Sequence, residues 1–107
     1  MRKTRRQIEK IINRYRKSLQ NFGINIERII LYGSFAGRRQ SEHSDIDLIV
    51  VAKDFEKMNL RKRLEVLGIA AARIMEPVEA LGYTPKEIVK AGKRSFLKEI
   101  LEYGINV

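Results

Sequence analysis

Tyr32-Gly33-Ser34-Phe35-Ala36-Gly37-Arg38-Arg39-Gln40-Ser41-Glu42-His43-Ser44-Asp45-Ile46-Asp47-Leu48-Ile49-Val50-Val51 is the stretch on which the reading of this chain turns. An apolar run at 26–32 leads into the Gly33-Ser34 step, and ten residues later Asp45-Ile46-Asp47 opens a second apolar run. A glycine and a small hydroxyl at a strand end suit a tight turn whose backbone N–H groups point at an anion. Two aspartates at i and i+2 of a strand project from one face. Like charges so close repel unless a proton or a cation lies between them. The pattern reads as a phosphate cradle facing a divalent-metal site.

Working outward, residues 4–22 predict a helix. Ile8, Ile11, Ile12, Tyr15, Leu19 and Phe22 recur at helical spacing, Arg6, Lys10, Arg14 and Lys17 take the opposite side, and Gly23 stops the helix. Residues 26–32 form a strand, a short helix begins near Ser34 and runs to about Gly37, and 38–43 is a polar loop. The second strand is 44–52. A helix from Asp54 or Phe55 to Ile74 has Leu60, Leu64, Leu67, Ala71 and Ile74 at core spacing. A short strand at 77–81 follows, with Gly82 after it. Thr84-Pro85-Lys86-Glu87 is a capping box with proline at the first helical position, for a helix ending near Gly92. Ser95 caps a last helix through Tyr103, with Phe96, Leu97, Ile100 and Leu101 inward and Gly104 as its stop. The order α-β-α-β-α-β-α-α predicts one small α/β domain over residues 1–107, a short mixed sheet with helices packed against it.

Composition narrows the function. The 107 residues suffice for one core, and the absence of cysteine excludes disulfides, thiolate metal sites and cysteine nucleophiles. No signal-peptide pattern and no apolar run near the ~20 residues of a membrane span is present, so a cytoplasmic protein without a membrane partner is expected. The net charge is +9, of which +7 falls in residues 1–30. That bias belongs to the first helix and reads as a solvated face or, less favoured, a nucleic-acid patch. The basic residues lack interleaved aromatics for stacking. His43 has no histidine or cysteine companion and reads as a loop residue rather than a zinc ligand. Tyr32 reads as core.

From the residues alone, Gly33 and Ser34 can bind a polyphosphate, and Asp45 and Asp47 can hold hard cations, of which Mg²⁺ is usual beside phosphates. Two such ions ~3.5–4 Å apart polarise an α-phosphate for in-line displacement. A third carboxylate is expected, and Glu79, central in the strand at 77–81, is preferred over Glu76 at its edge.

Gly33-Ser34, ten residues, then Asp45-Ile46-Asp47 resembles the signature of the DNA polymerase β-like nucleotidyltransferase superfamily. Ser44-Asp45-Ile46-Asp47-Leu48, and Pro77-Val78-Glu79 followed by Tyr83-Thr84-Pro85-Lys86-Glu87, are similar to its minimal nucleotidyltransferase branch. The resemblance spans roughly residues 26–104. It implies a palm-like fold and Mg²⁺-dependent transfer of a nucleotidyl group from a nucleoside triphosphate such as ATP. Gly33 and Ser34 would bind triphosphate, Asp45 and Asp47 two Mg²⁺ ions, and Glu79 would stand as the third, catalytic and metal-binding carboxylate.

The resemblance also implies a partner. Members of this branch are commonly antitoxins of toxin–antitoxin pairs whose toxins are helical HEPN-type ribonucleases, and some adenylylate a tyrosine of that toxin. The chain departs from the pattern twice. It reads Ala36-Gly37-Arg38 where relatives read Ala-Arg-Gly, leaving Arg38 or Arg39 for the phosphate side, and it has Glu79 where many carry aspartate. The alternatives are an antitoxin that neutralises its partner by binding alone and, more weakly, a nucleic-acid-binding domain.

Overall fold

In a computed structural model of the chain, residues 4–33, 45–91 and 95–107 are described. The helix expected near Ser34, the loop at 38–43 with His43, and the expected site residues Ser34, Arg38 and Arg39 lie outside them.

Helix α1 (Arg5–Asn21) starts where Thr4 closes a capping box: its hydroxyl accepts from the Gln7 N–H at 3.1 Å, and its own N–H donates to Gln7 Oε1 at 2.7 Å. Such a cap contributes about 0.5–2 kcal/mol. Gly23, at φ +81°, ends the helix as expected. Strand β1 (Arg28–Tyr32) pairs antiparallel with β2 (Ile46–Val51), and β2 pairs parallel with β3 (Val78–Tyr83). The parallel step is bridged by a 3-10 turn at Lys53–Lys57 and helix α2 (Leu60–Ile74). Helices α3 (Pro85–Ala91) and α4 (Ser95–Tyr103) follow. A two-residue strand β4 (Ile105–Asn106) then pairs antiparallel with β1, for a sheet order β3-β2-β1-β4.

Sheet alternation divides the core in two. Ile29, Leu31, Ile46, Leu48, Val50 and Ala52 face Ile8, Ile12, Tyr15 and Leu19 of α1 and Leu67, Ala70 and Ala71 of α2. Each buried aliphatic there contributes about 1.5–3 kcal/mol. Two buried hydroxyls register the helices, Tyr15 Oη donating to the Leu67 carbonyl at 2.9 Å and Ser18 Oγ to that of Ala70 at 3.0 Å. On the other face Ile30, Ile49 and Val51 pack with Ile88 of α3 and Leu97 and Ile100 of α4, and Tyr32, Leu81 and Tyr83 border that cluster. The Phe96 side chain is outside the described residues.

Several boundaries differ from expectation for physical reasons. Helix α2 begins at Leu60, because the Asn59 side chain caps it by accepting from the Lys62 N–H at 2.8 Å. Strand β3 runs on through Gly82 to Tyr83, past the expected end at Leu81. A Cβ at Gly82 would lie 2.9 Å from Phe55 Cε2, so the glycine lets the strand pass the Phe55 ring. Strand β4 was not foreseen, since two residues after a helix carry no readable period. Leu60 and Leu64, expected in the core, are 66% and 46% exposed. Helical spacing sets both toward one side of α2, but among the described residues nothing buries them.

Candidate active site

Register alone assembles the centre of the site. The antiparallel β1–β2 pairing sets Tyr32 opposite Asp47, and the parallel β2–β3 pairing sets Asp47 opposite Glu79. Tyr32, Asp47 and Glu79 therefore form a row across three adjacent strands, spaced about 4.8 Å apart. All three belong to the face that carries Ile49 and Val51, toward α3 and α4. Asp45 directly precedes β2, is exposed, and shares Asp47's face by the two-residue period.

Gly33 closes one end of the row. Its φ is +74°, and a Cβ there would run into the Asp47 carboxylate, with Asp47 Cγ at 3.1 Å. The main chain leaving β1 is thus laid directly against that carboxylate, an approach only glycine permits. Where sequence reasoning placed a phosphate turn beside a metal diad, Gly33 and Asp47 are in contact.

The electrostatics follow from this crowding. Burial, then Glu79, then Asp45 push the Asp47 carboxyl above its ordinary value of 3.8. Burial, then the charges of Asp47, Tyr83 and Glu79, push the Tyr32 phenol above 10.0. An acidic row whose members repel one another, made of oxygen donors only, is the donor chemistry that Mg²⁺ takes. Among the described residues, however, no three carboxylates or histidines converge into a ready-made metal-binding group. Asp45, Asp47 and Glu79 are neighbours in potential without being a closed ligand set.

The two candidates for the third carboxylate separate cleanly. Glu76 accepts from Arg14 Nη1 at 3.4 Å, and Arg14 also donates to the Ile74 carbonyl, so Glu76 is tied to the first helix. Glu79 is in the row. Tyr32, read from the sequence as core, is half-buried against the second core cluster, and its register also stands it beside Asp47. Its parity with Ile30 shows which face it takes only once the β1–β2 register is known.

The basic helix α1 lies against the opposite face of the sheet and cannot line the row. Several of its cations are occupied: Arg5 pairs with Glu9 at 3.6 Å, Arg14 with Glu76, and Arg16 donates to the Val107 main-chain oxygen at 2.9 Å.

Comparison with known proteins agrees with this architecture. Residues 7–105 match the "Polymerase beta, Nucleotidyltransferase" family. A "Putative protein adenylyltransferase" of Methanocaldococcus jannaschii is 29% identical over 102 residues, covering 94% of this chain and 99% of the relative. A second protein of that name from the same organism is 43% identical over 44 residues, 41% of this chain and 30% of its own length. The crystal structure of a "putative nucleotidyltransferase" from Sulfolobus solfataricus superposes with a TM-score of 0.57 at 20% identity, covering 97% of this chain and 87% of that one. The fold is thus a small α/β nucleotidyltransferase fold built on a four-stranded mixed sheet. The chain belongs to the polymerase beta nucleotidyltransferase family.

Proposed function

We propose that this protein transfers AMP from ATP to a hydroxyl of another protein in a Mg²⁺-dependent reaction. The observation that carries the reading is the Tyr32–Asp47–Glu79 row, with Asp45 on the same face and the Gly33 main chain pressed on the Asp47 carboxylate. The name borne by the relative that this chain matches almost end to end supports a protein acceptor. On the sequence resemblance, the partner is a HEPN-type toxin, the acceptor a tyrosine, and this chain its cytoplasmic antitoxin. No helix among the described residues is long and apolar enough to cross a membrane.

Asp45, Asp47 and Glu79 would hold Mg²⁺, which when bound neutralises charge on the phosphates and on the attacking oxygen. Gly33, with Ser34 and Arg38 or Arg39, would receive the triphosphate. The acceptor oxygen bonds to the α-phosphorus, the α–β bridging P–O bond breaks, pyrophosphate leaves, and the hydroxyl proton passes to the Glu79 carboxylate. Glu79 lies across Asp47 from Gly33, so the row has a leaving-group end and an acceptor end, as in-line displacement requires.

Incubation with α-labelled ATP, Mg²⁺ and the product of the neighbouring reading frame tests this. Label should reach the partner with wild type and be lost with Asp45→Asn/Asp47→Asn. A double variant that still labels refutes the site. A wild type that neutralises the partner without labelling it establishes the second reading, an antitoxin acting by contact alone. The lack of a preassembled three-carboxylate group among the described residues is what favours that alternative.

A further inference from the structure

The acceptor end of the row lies at the edge of the sheet, and among the described residues no strand pairs with the outer side of that edge. Strand β3 is terminal in the order β3-β2-β1-β4. In its parallel register with β2, the main-chain groups of Glu79, Leu81 and Tyr83 point inward, as the Ala52 N–H to Tyr83 carbonyl bond of 3.0 Å shows. Those of Val78, Ala80 and Gly82 point outward. Two of these outward groups have partners: the Val78 N–H donates to the Glu76 carbonyl at 2.9 Å, and the Gly82 carbonyl accepts from Arg63 Nη1 at 3.2 Å. Gly82 is itself buried, and among the described residues no hydrogen bond reaches the Val78 carbonyl or either main-chain group of Ala80. They form a run of alternating acceptors and donors that only another extended chain matches.

The ground beside this edge is shaped for such a chain. A cleft of about 470 Å³ wraps around β3 and is lined by Tyr32, Glu79 and Leu81 on one face and by Leu64, Leu67, Gly68, Val78 and Ala80 on the other. Leu64 on α2 is 46% exposed there, and a Cβ at Gly68 would meet nothing within 4 Å. The same cleft therefore contains the free edge, an uncovered apolar stripe and the acceptor-side carboxylate of the row.

We infer that the acceptor protein docks by adding an extended segment to the free edge of β3, and that this segment carries the acceptor tyrosine level with Glu79. The inference rests on the nucleotidyl-transfer reading and specifies its substrate. An added strand lies about 4.8 Å beyond β3, two strand spacings or ~10 Å from Asp47. A tyrosine side chain on the row's face is long enough for its hydroxyl to lean away from its own strand toward Glu79, whereas a serine hydroxyl stops beside its own backbone. The transfer joins the tyrosine oxygen to the α-phosphorus of ATP, releases pyrophosphate and leaves the phenolic proton on Glu79. Side chains on the segment's other face meet Leu64 and the space over Gly68.

The test uses peptides of alternating valine and glutamine that carry one central tyrosine, one central serine or no hydroxyl, with α-labelled ATP and Mg²⁺. Wild type is compared with Ala80→Pro, which removes an outward N–H that β2 does not use, and with Gly68→Glu, which fills the cleft from an open helix position. Both variants should keep the wild-type far-ultraviolet circular dichroism and the wild-type affinity for Mg²⁺-ATP by calorimetry. Labelling of the tyrosine peptide should fall about tenfold or more in each, as the loss of one or two net hydrogen bonds or of the apolar contact predicts. The serine peptide should be labelled at least about tenfold less than the tyrosine peptide. Wild-type labelling by either folded variant overturns the inference, as does equal labelling of serine, or a wild type that binds Mg²⁺-ATP and labels no peptide. A concentration-dependent dimer that Ala80→Pro dissolves assigns the edge to a second copy and overturns it as well. Failure of wild type to bind Mg²⁺-ATP at all refutes instead the nucleotidyltransferase reading beneath it.

Discussion

Replacing Gly33 by alanine isolates the contact on which the site is built. Gly33 and Gly23 have nearly the same backbone angle, φ +74° and +81°, but different surroundings. A Cβ at Gly23 meets nothing within 4 Å, whereas one at Gly33 runs into the Asp47 carboxylate, with Cγ at 3.1 Å and Cβ at 3.2 Å. Gly23→Ala should therefore cost only the left-handed backbone penalty, about 1–2 kcal/mol. Gly33→Ala should cost that and also drive the Asp47 side chain from its rotamer, a further ~0.5–1.5 kcal/mol. A difference near 1 kcal/mol corresponds to about 4–8 °C in Tm for a domain of this size, and both variants stay folded within a stability of about 5–15 kcal/mol. Urea denaturation of wild type, both glycine variants, Asp47→Ala and Gly33→Ala/Asp47→Ala completes a double-mutant cycle. The excess at Gly33 should fall by more than half once the Asp47 carboxylate is gone, because only the Cβ approach at 3.2 Å remains, which a small shift relieves. Equal costs at Gly23 and Gly33, or an excess that survives Asp47→Ala undiminished, would refute the claim that this main chain lies on that carboxylate.

Other outcomes follow from the same geometry. Asp47 holds its proton more tightly folded than unfolded, so its contribution to stability declines as pH rises through 3.8 and is fully lost above its raised folded value. Asp47→Asn should thus be more stable than wild type at neutral pH, with the gap closing toward pH 4 in urea titrations, while Mg²⁺-ATP stabilises only wild type. Glu79→Gln should lower transfer by about 10²–10⁴, the range for a lost general base, whereas Glu76→Gln, which loosens only the Arg14 pair, should leave steady-state rates unchanged. Arg63, with its side chain 11% exposed, donates to the carbonyls of Phe55, Met58 and Gly82 and to Glu87 Oε1 at 2.7 Å. Arg63→Ala leaves those acceptors unpaired and should cost about 2–4 kcal/mol in chemical denaturation. Burial alone would raise the Glu87 carboxyl, but the hydrogen bonds from Arg63 and Thr84 outweigh it and hold the group below 4.5. Its stabilisation is complete above the unfolded value and is lost as pH falls through the folded one, and Glu87→Gln should remove that acid sensitivity.

The elements that were legible in the sequence are those whose own residues decide them. Thr4 and Thr84 close the boxes that start α1 and α3, and the apolar spacing of Ile8, Ile12, Tyr15 and Leu19 gives the buried face of α1. The elements misread are those that a distant neighbour decides. Gly82 looks like the residue past the end of the strand until the Phe55 ring is known to lie against it, and then it is the residue that lets β3 continue. Leu60 and Leu64 have core spacing and are nevertheless exposed, because periodicity reports the face of a helix and not whether a strand exists to cover it. Strand β4 is made by its partner β1 rather than by any preference of Ile105 and Asn106.

The candidate site divides in the same way. Spacing alone could set Asp45 and Asp47 on one face, since two residues of one strand need no partner to share it. The preference for Glu79 over Glu76 came from their places in the strand, and the structure adds a register that sets Glu79 opposite Asp47 and an ion pair that draws Glu76 to Arg14. Tyr32 could not be placed from its own neighbours, because its apolar run gives no sign of which face meets the aspartates. The β1–β2 pairing makes it part of the row. Register also gives the row a direction that no motif contains. Gly33 at one end follows the interior strand β1, and Glu79 at the other lies on the terminal strand β3. That direction suits the proposed division of labour, with the nucleotide at the Gly33 end and the acceptor at the Glu79 end.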